Sequence, residues 1–145
     1  MLGVRTYTRE YVDTCRAKVE SDLATYRQLT KATSSQAAPD GSPISSAVGV
    51  LGTSFFNNMV LVLDYLFVHR LRTVEGKDGN ALNEVRVLCD SMLQHGNVLT
   101  ADSAVKLSPA KSVLKYQFGQ PIKVNEADFQ RIFQAFFAEI ERKFV

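Results

Sequence analysis

The first helical pattern in the chain runs from Thr8 to Thr33. Apolar residues recur there mostly at three- and four-residue steps, with charged residues in the gaps. This spacing is typical of an amphipathic helix, here about 39 Å long. The residues of its apolar stripe are Tyr11, Val12, Cys15, Val19, Leu23, Tyr26 and Leu29.

A polar, Ser- and Pro-containing stretch over 34–46 predicts a flexible loop. Residues 47–68 then contain no Lys or Arg, and we extend this second, apolar helix to about Val74. It is long enough to cross a bilayer. However, Asn57, Asn58 and Asp64 interrupt it, and one central Asp costs about 2.5 to 3.5 kcal/mol on insertion. The pattern therefore predicts a buried helix and no membrane partner.

The second helix has a polar side when its residues are placed about 100° apart. Because Leu61 and Val68 share that side, we expect it to be half buried, and buried polar groups need partners. One interpretation is a structural network in which a partly buried Asp64 pairs with an Arg or a helix end; the other is a small-molecule pocket. Arg70 falls on the apolar side, where the pattern gives it no role. The candidate binding residues are Asn58, Asp64, Tyr65, His69 and Arg72.

Two further helices follow. Asn80 is a good N-cap and Gly96 a good stop, which predicts a third helix from Ala81 to about His95. Asn125 caps a last helix with acidic residues in its first turn, where the helix dipole favours them. Its spacing predicts an inner face for core or dimer contacts, formed by Phe129, Ile132, Phe133, Phe136, Phe137, Ile140 and Phe144.

Between these helices, apolar and polar residues alternate over 112–124, which is typical of a small β-hairpin or an irregular insert. The elements together predict an all-α protein: a four-helix up-down bundle with a small hairpin or irregular insert before the last helix. We expect residues 1–145 to form a single domain.

Composition adds little to this picture. Apolar residues make up 46% of the chain, charged residues 22%, and the net charge is +2, values that are ordinary for a soluble protein. Two distant cysteines and a start without leader features predict reduced thiols and a cytoplasmic location. His69 and His95 are the only histidines, so we expect no metal site, and since phosphate- and dinucleotide-binding motifs are missing, no cofactor.

The segment "NEVRVLCDSMLQHG", residues 83–96, carries a family resemblance. Together with the following loop and the tail from "GQPIKVNEADF", it resembles the HEPN superfamily of small all-α bacterial and archaeal proteins. That family typically has an Arg, a polar residue, three to five further residues and a His at the end of a helix. Cys89, Asp90 and His95 occupy those places here, so the Arg is replaced by a cysteine.

In the family, the motif implies metal-independent RNA cleavage at a dimer interface, with the His transferring protons and the Arg stabilising phosphate. A cysteine cannot replace a guanidinium, so only Arg86 or Arg72 could substitute for it. The catalytic candidates are therefore His95, Asp90 and Arg86. His95 has an alternative, structural interpretation, because a positive charge is favourable beside the free carbonyls at the C-terminal end of a helix. An Arg introduced at position 89 would be tolerated only at an open groove.

The resemblance leads us to expect a HEPN-like domain that is a non-catalytic or impaired binding or regulatory module. We expect a homodimer, with RNA or a protein as a candidate partner. Two alternatives stay open: a metal-independent RNase that uses His95 with a displaced arginine, and a small-molecule-binding bundle that uses the polar face of helix two.

Overall fold

The computed structural model describes residues 3–42 and 44–145. Within them the chain is all-α, as predicted, with four long helices and one short one packed around a common core. The helices are α1 (Arg9–Thr33), α2 (Ile44–Leu66), α3 (Arg72–Glu75), α4 (Ala81–Gln94) and α5 (Glu126–Phe144).

Helix α1 confirms the first predicted helix. The Thr8 side chain caps it by accepting the Tyr11 N–H at 3.1 Å. The middle of its stripe, Val12 to Leu23, is buried, whereas Leu29 near its end is 41% exposed. The last turns of α1 therefore extend past the core.

The loop before α2 is shorter than predicted, because α2 begins at Ile44. Residues 34–42 contain a turn in which Asp40 accepts the N–H and the hydroxyl of Ser42. Pro43 lies outside the described residues, and the flexibility of this loop stays a prediction.

Helix α2 ends at Leu66, so its predicted extension to Val74 is wrong. The chain turns at residues 67–71, where Val4 donates to His69 O at 2.7 Å and accepts from Leu71 N at 2.8 Å. This contact with the N-terminal segment takes up backbone groups that a longer helix would have used. Arg70 lies in this turn and is buried, in agreement with its place on the apolar side of the pattern.

Among the described residues, α2 is the one helix long and apolar enough to cross a membrane by length and composition. Its most apolar window has a mean hydropathy of 1.5, and a third of that window is buried in the bundle.

The connecting segment between α4 and α5, residues 98–125, is irregular. It forms no strand, and its only ladder contact is a single antiparallel bridge between Val98 and Pro121. Four of its backbone N–H groups bond to side chains of the bundle, those of Asn57, Glu84 and Ser91. The N–H groups of Gly119 and Ile122 donate to the carbonyls of Leu99 and Asn97. The hairpin alternative for residues 112–124 is therefore wrong and the irregular insert is correct, because these backbone groups bond outside that stretch and do not pair two strands within it.

Helix α5 supplies most of the aromatic core. Asn125 caps it by accepting the Asp128 N–H at 2.7 Å. All seven residues of the predicted inner face are buried, and within one subunit they already pack against α1, α2 and α4. The stripe is therefore core within this chain, and no part of it remains for a dimer contact.

Candidate functional site

The centre of the polar chemistry is a buried charge network around Arg70. The Arg70 side chain is fully buried and its Nη2 donates to Asp64 Oδ1 at 2.9 Å. Its Nη1 donates to the carbonyl of Phe67 at 3.1 Å. The predicted pairing of a partly buried Asp64 with an arginine is confirmed, since the Asp64 side chain is only 19% exposed.

Glu75 is the second member of this network and is 1% exposed. Its carboxylate lies 2.5 Å from Arg86 Nη2 and 3.4 Å from Arg70 Nη2, and it accepts from Asn83 Nδ2 at 3.2 Å. Burial by itself would raise the pKa of Glu75. The hydrogen bond and charge of Arg86, with the charge of Arg70, outweigh burial and hold the pKa of this carboxyl below its usual value.

The turn between α3 and α4 is built around the same network. Asn80 caps α4 by accepting from Leu82 N and Asn83 N, while its amide donates to Glu75 O at 2.9 Å. Lys143 from α5 donates to the same carbonyl at 2.6 Å. At Gly79, φ is 85° and an added Cβ would lie 2.5 Å from Lys106 O, so a side chain there would be strained.

The network is therefore a structural joint between the end of α2, the short helix α3 and the start of α4. Both carboxylates of the network, those of Asp64 and Glu75, form ion pairs with arginines, so neither is free to act as a general base. Two buried atoms among the described residues lack a partner, Arg70 Nε and Tyr7 Oη. All other polar atoms named above are satisfied, as expected for a network that fixes a fold.

His95 and Asp90 lie at the other end of α4. His95 follows the last residue of the helix and is exposed, with its Nε2 at 3.6 Å from Asp90 Oδ2. Its backbone N–H donates to Ser91 O at 3.0 Å, so the residue closes the helix. This pair is the one contact that the structure makes between two of the three catalytic candidates.

The third candidate, Arg86, is held elsewhere by Glu75. Arg72 borders a small recess beside Glu75 and Asn83, at the start of α4. Asn83 and His95 are separated by about 18 Å of helix rise. Both arginines that could have replaced the missing family Arg therefore lie away from His95.

Cys89, which occupies the place of that Arg, is 5% exposed. Its thiol points to α2, with Sγ at 3.5 Å from Val60 O, and burial raises the pKa of the thiol well above its usual range. Position 89 therefore belongs to the core and does not border an open groove.

An open groove of about 780 Å³ lies beside His95, between α2, the end of α4 and the connecting segment. The candidate Asn58 lines it, together with Leu61 and Leu93. Lys123 is the only charged residue in its lining. The α2 residues that line it also include Thr53, Ser54 and Asn57. Val50 and Leu93, which line it too, are 77% and 67% exposed, so exposed apolar side chains and uncharged polar side chains share this face of α2 and α4.

The remaining candidates, Tyr65 and His69, line a separate cleft of about 270 Å³ at the far end of α2. Tyr7 and Tyr11 form its other wall, stacked with ring centroids 5.4 Å apart. Both candidates are exposed. The polar side of helix two is thus divided among the groove, the network and this cleft.

Sequence reasoning missed Glu75, Asn83 and Glu84. Glu84 is 3% exposed and accepts the N–H groups of Val113 and Leu114 at 2.7 and 2.9 Å. The available signal was Arg70: a charged residue on an apolar stripe predicts a buried counter-charge. The partner could not be named, because Glu75 follows the turn that ends α2.

No group of three or more potential metal ligands occurs among residues 3–42 and 44–145. Comparison with known proteins gives no matching family model, no matching curated protein and no matching solved structure. What the protein does is therefore inferred from these residues and their contacts.

Proposed function

We propose that the protein is a HEPN-like, non-catalytic binding module. The observation that carries this proposal is the separation of His95 from every candidate arginine: Arg86 is paired with Glu75, and the motif position itself is a buried cysteine. Phosphoryl transfer needs a cation placed where charge builds in the transition state. The lone His95–Asp90 pair does not supply one.

The apolar groove is the binding surface of this module, and a second copy of the chain is its occupant. Val50 and Leu93 line the groove and are exposed, and Lys123 is the one charged residue in its lining. A face with both a ridge and a hollow suits a two-fold contact, in which each copy fills the hollow of the other. Since this face has no carboxylate, the contact leaves no buried acid without a partner. We place this homodimer in the cytoplasm.

An RNA cleavage assay tests the non-catalytic part of the proposal. Wild type and His95→Ala, incubated in chelator with single-stranded RNA of mixed sequence, should give the same background rate. The two proteins should also have the same thermal midpoint, because His95 is exposed. A wild-type rate at least tenfold above that of His95→Ala would show that the protein is a nuclease.

A further inference from the structure

The connecting segment carries a charge asymmetry that the net charge of the chain conceals. Residues 103–125 contain four lysines and no Asp or Glu. With 17 cationic and 15 acidic side chains in the whole chain, the residues outside 103–125 have a net charge of −2. The net positive charge of this protein therefore comes from residues 103–125, a part of the connecting segment that lies between Asp102 and Glu126.

All four lysines of this stretch, Lys106, Lys111, Lys115 and Lys123, are exposed. None forms an ion pair within the described residues. Most other cations of the bundle, such as Arg16, Arg27 and Arg86, are paired with carboxylates. The lysines are thus free to bind an anion from solution.

The inner side of the segment is fixed to the bundle, so these lysines are carried on a defined surface. Tyr116, Ile122 and Val124 are buried, and Glu84 and Asn57 hold the backbone. Lys115 Nζ lies 3.3 Å from Ala110 O, next to Lys111. The Tyr116 hydroxyl accepts the Lys123 N–H at 3.1 Å. These contacts tie Lys115 to the stretch that carries Lys111, and Lys123 to Tyr116, the residue that follows Lys115.

Aromatic side chains are interleaved with these lysines. Tyr116 and Lys123 line an open cleft of about 410 Å³ with Gln120 and Pro121, in which the single acid, Asp128, is paired with Arg131. Phe118 projects beyond the cleft and is 44% exposed. Lysines bind a phosphate backbone as point charges, and exposed rings stack on bases without regard to sequence.

We infer that residues 103–125 form a binding surface for single-stranded nucleic acid, which the protein holds and does not cut. The lysines contact phosphates, Phe118 stacks on a base, and the cleft beside Tyr116 receives a neighbouring nucleotide. Pro121 and Lys123 line both this cleft and the groove, so the two surfaces adjoin there, whereas Lys111, Lys115 and Phe118 do not line the groove. Substitutions at these three residues therefore test nucleic-acid binding apart from the dimer.

The test is fluorescence anisotropy of a fluorescein-labelled 20-nucleotide oligo(U) titrated with the wild-type protein. Three phosphate contacts on a single strand, from Lys111, Lys115 and Lys123, predict an affinity that falls about 20-fold between 50 and 200 mM salt. Lys111→Glu/Lys115→Glu should weaken binding at 50 mM salt by about tenfold or more. Phe118→Ala should weaken it by about fivefold.

The matched control is Lys18→Glu/Lys31→Glu on α1, which changes the net charge by the same amount and should bind nearly as wild type does. Lys111→Arg/Lys115→Arg keeps the charges and should retain binding. Equal losses in both charge-reversed proteins, or no binding by the wild type at 50 mM salt, would overturn the inference.

Poly-L-glutamate distinguishes nucleic acid from an acidic polypeptide. At equal charge concentration it should compete poorly with oligo(U), since it has no bases to stack. Equal competition would reassign the surface to acidic protein partners and overturn the inference. Leu93→Glu changes the groove and should bind oligo(U) normally. Nucleic-acid binding and dimerisation are therefore tested by different variants.

Discussion

We expect individual buried charged residues to contribute more to the stability of this protein than any exposed residue does. Glu75 lies between two guanidinium groups in the interior, and such a group is costly to leave without its counter-charge. Arg70 also pairs with Asp64, whereas Glu75 is the one carboxylate that pairs with Arg86 among the described residues. Glu75 is therefore the residue on which the joint between α2, α3 and α4 depends most.

We predict that Glu75→Gln lowers the free energy of unfolding by about 3 to 5 kcal/mol, because it leaves Arg70 and Arg86 insufficiently neutralised. Urea denaturation at pH 7 measures this. Asp22→Asn, which removes an exposed partner of Lys18, is the control and should change the midpoint little. A loss in Glu75→Gln no larger than that of the control would show that the network adds no stability.

The effect of Glu75 should depend on pH in a defined direction. Its pKa is lowered in the folded state, so its stabilisation is present above the unfolded pKa of about 4.3 and is lost as pH falls through the folded value. The difference between wild type and Glu75→Gln should therefore shrink below about pH 4. A difference that grew with acidity would contradict the assignment of an ionised Glu75.

At the scale of elements, the crossing of α1 and α2 depends on one small residue. Gly52 is buried, and a Cβ added there would meet the hydroxyl of Tyr26. That ring stacks on Phe55 with centroids 4.9 Å apart and packs on Phe56 at 4.8 Å. Because the ring is confined on both sides, it cannot move aside without disturbing the aromatic cluster.

We predict that Gly52→Ala destabilises the protein by about 1 to 3 kcal/mol through overpacking. Gly49→Ala, one turn earlier on the same helix with nothing within 4 Å of the added Cβ, should be neutral or stabilise by up to about 1 kcal/mol. Chemical denaturation of the two variants compares them directly. Equal behaviour of both would mean that α1 and α2 do not pack closely at Gly52.

Helix α4 gives a test of the family motif at this scale. We predict that Cys89→Arg fails to fold or loses several kcal/mol, because the guanidinium would enter the contact between α4 and Val60 of α2. Asp90→Arg, at the next and exposed position, should fold normally. Circular dichroism and thermal melting measure both. A folded Cys89→Arg protein that cleaves RNA in chelator would restore the interpretation of position 89 as part of an active site.

At the scale of the whole molecule, the proposed dimer covers the exposed apolar side chains of Val50 on α2 and Leu93 on α4. We predict that wild type sediments as a dimer and that Leu93→Glu shifts it to the monomer, since a charge at the centre of an apolar interface has no partner there. Sedimentation velocity measures the mass of each species. Leu29→Glu, at an exposed apolar position on α1, should leave the dimer intact.

If the wild type is monomeric at about 100 μM, a second copy of the chain does not occupy the groove. A Leu93→Glu protein that stays dimeric would move the contact to another face. In either result the stability predictions for Glu75 and Gly52 are unaffected, because those residues act within one subunit.

The local pattern of the sequence determined the elements whose signals lie within a few residues. Asn80 and Asn125 cap α4 and α5 as predicted, and Thr8, where the first helical pattern begins, caps α1; an N-cap bonds to N–H groups only two or three residues away. The phenylalanine stripe of α5 is buried as its spacing indicated, since helical periodicity fixes which side chains share a face. The all-α class follows from these elements.

Only the tertiary structure decided the features that join residues distant along the chain. Helix α2 ends at Leu66 because Val4 binds the turn after it, and residues 112–124 form no hairpin because Asn57 and Glu84 hold the connecting segment. Helical spacing alone puts Arg86 and His95 on opposite sides of an ideal helix, but it could not identify Glu75 as the partner of Arg86. A hydrogen bond or ion pair over such separations depends on where the folded chain brings its partners, and no local periodicity encodes that position.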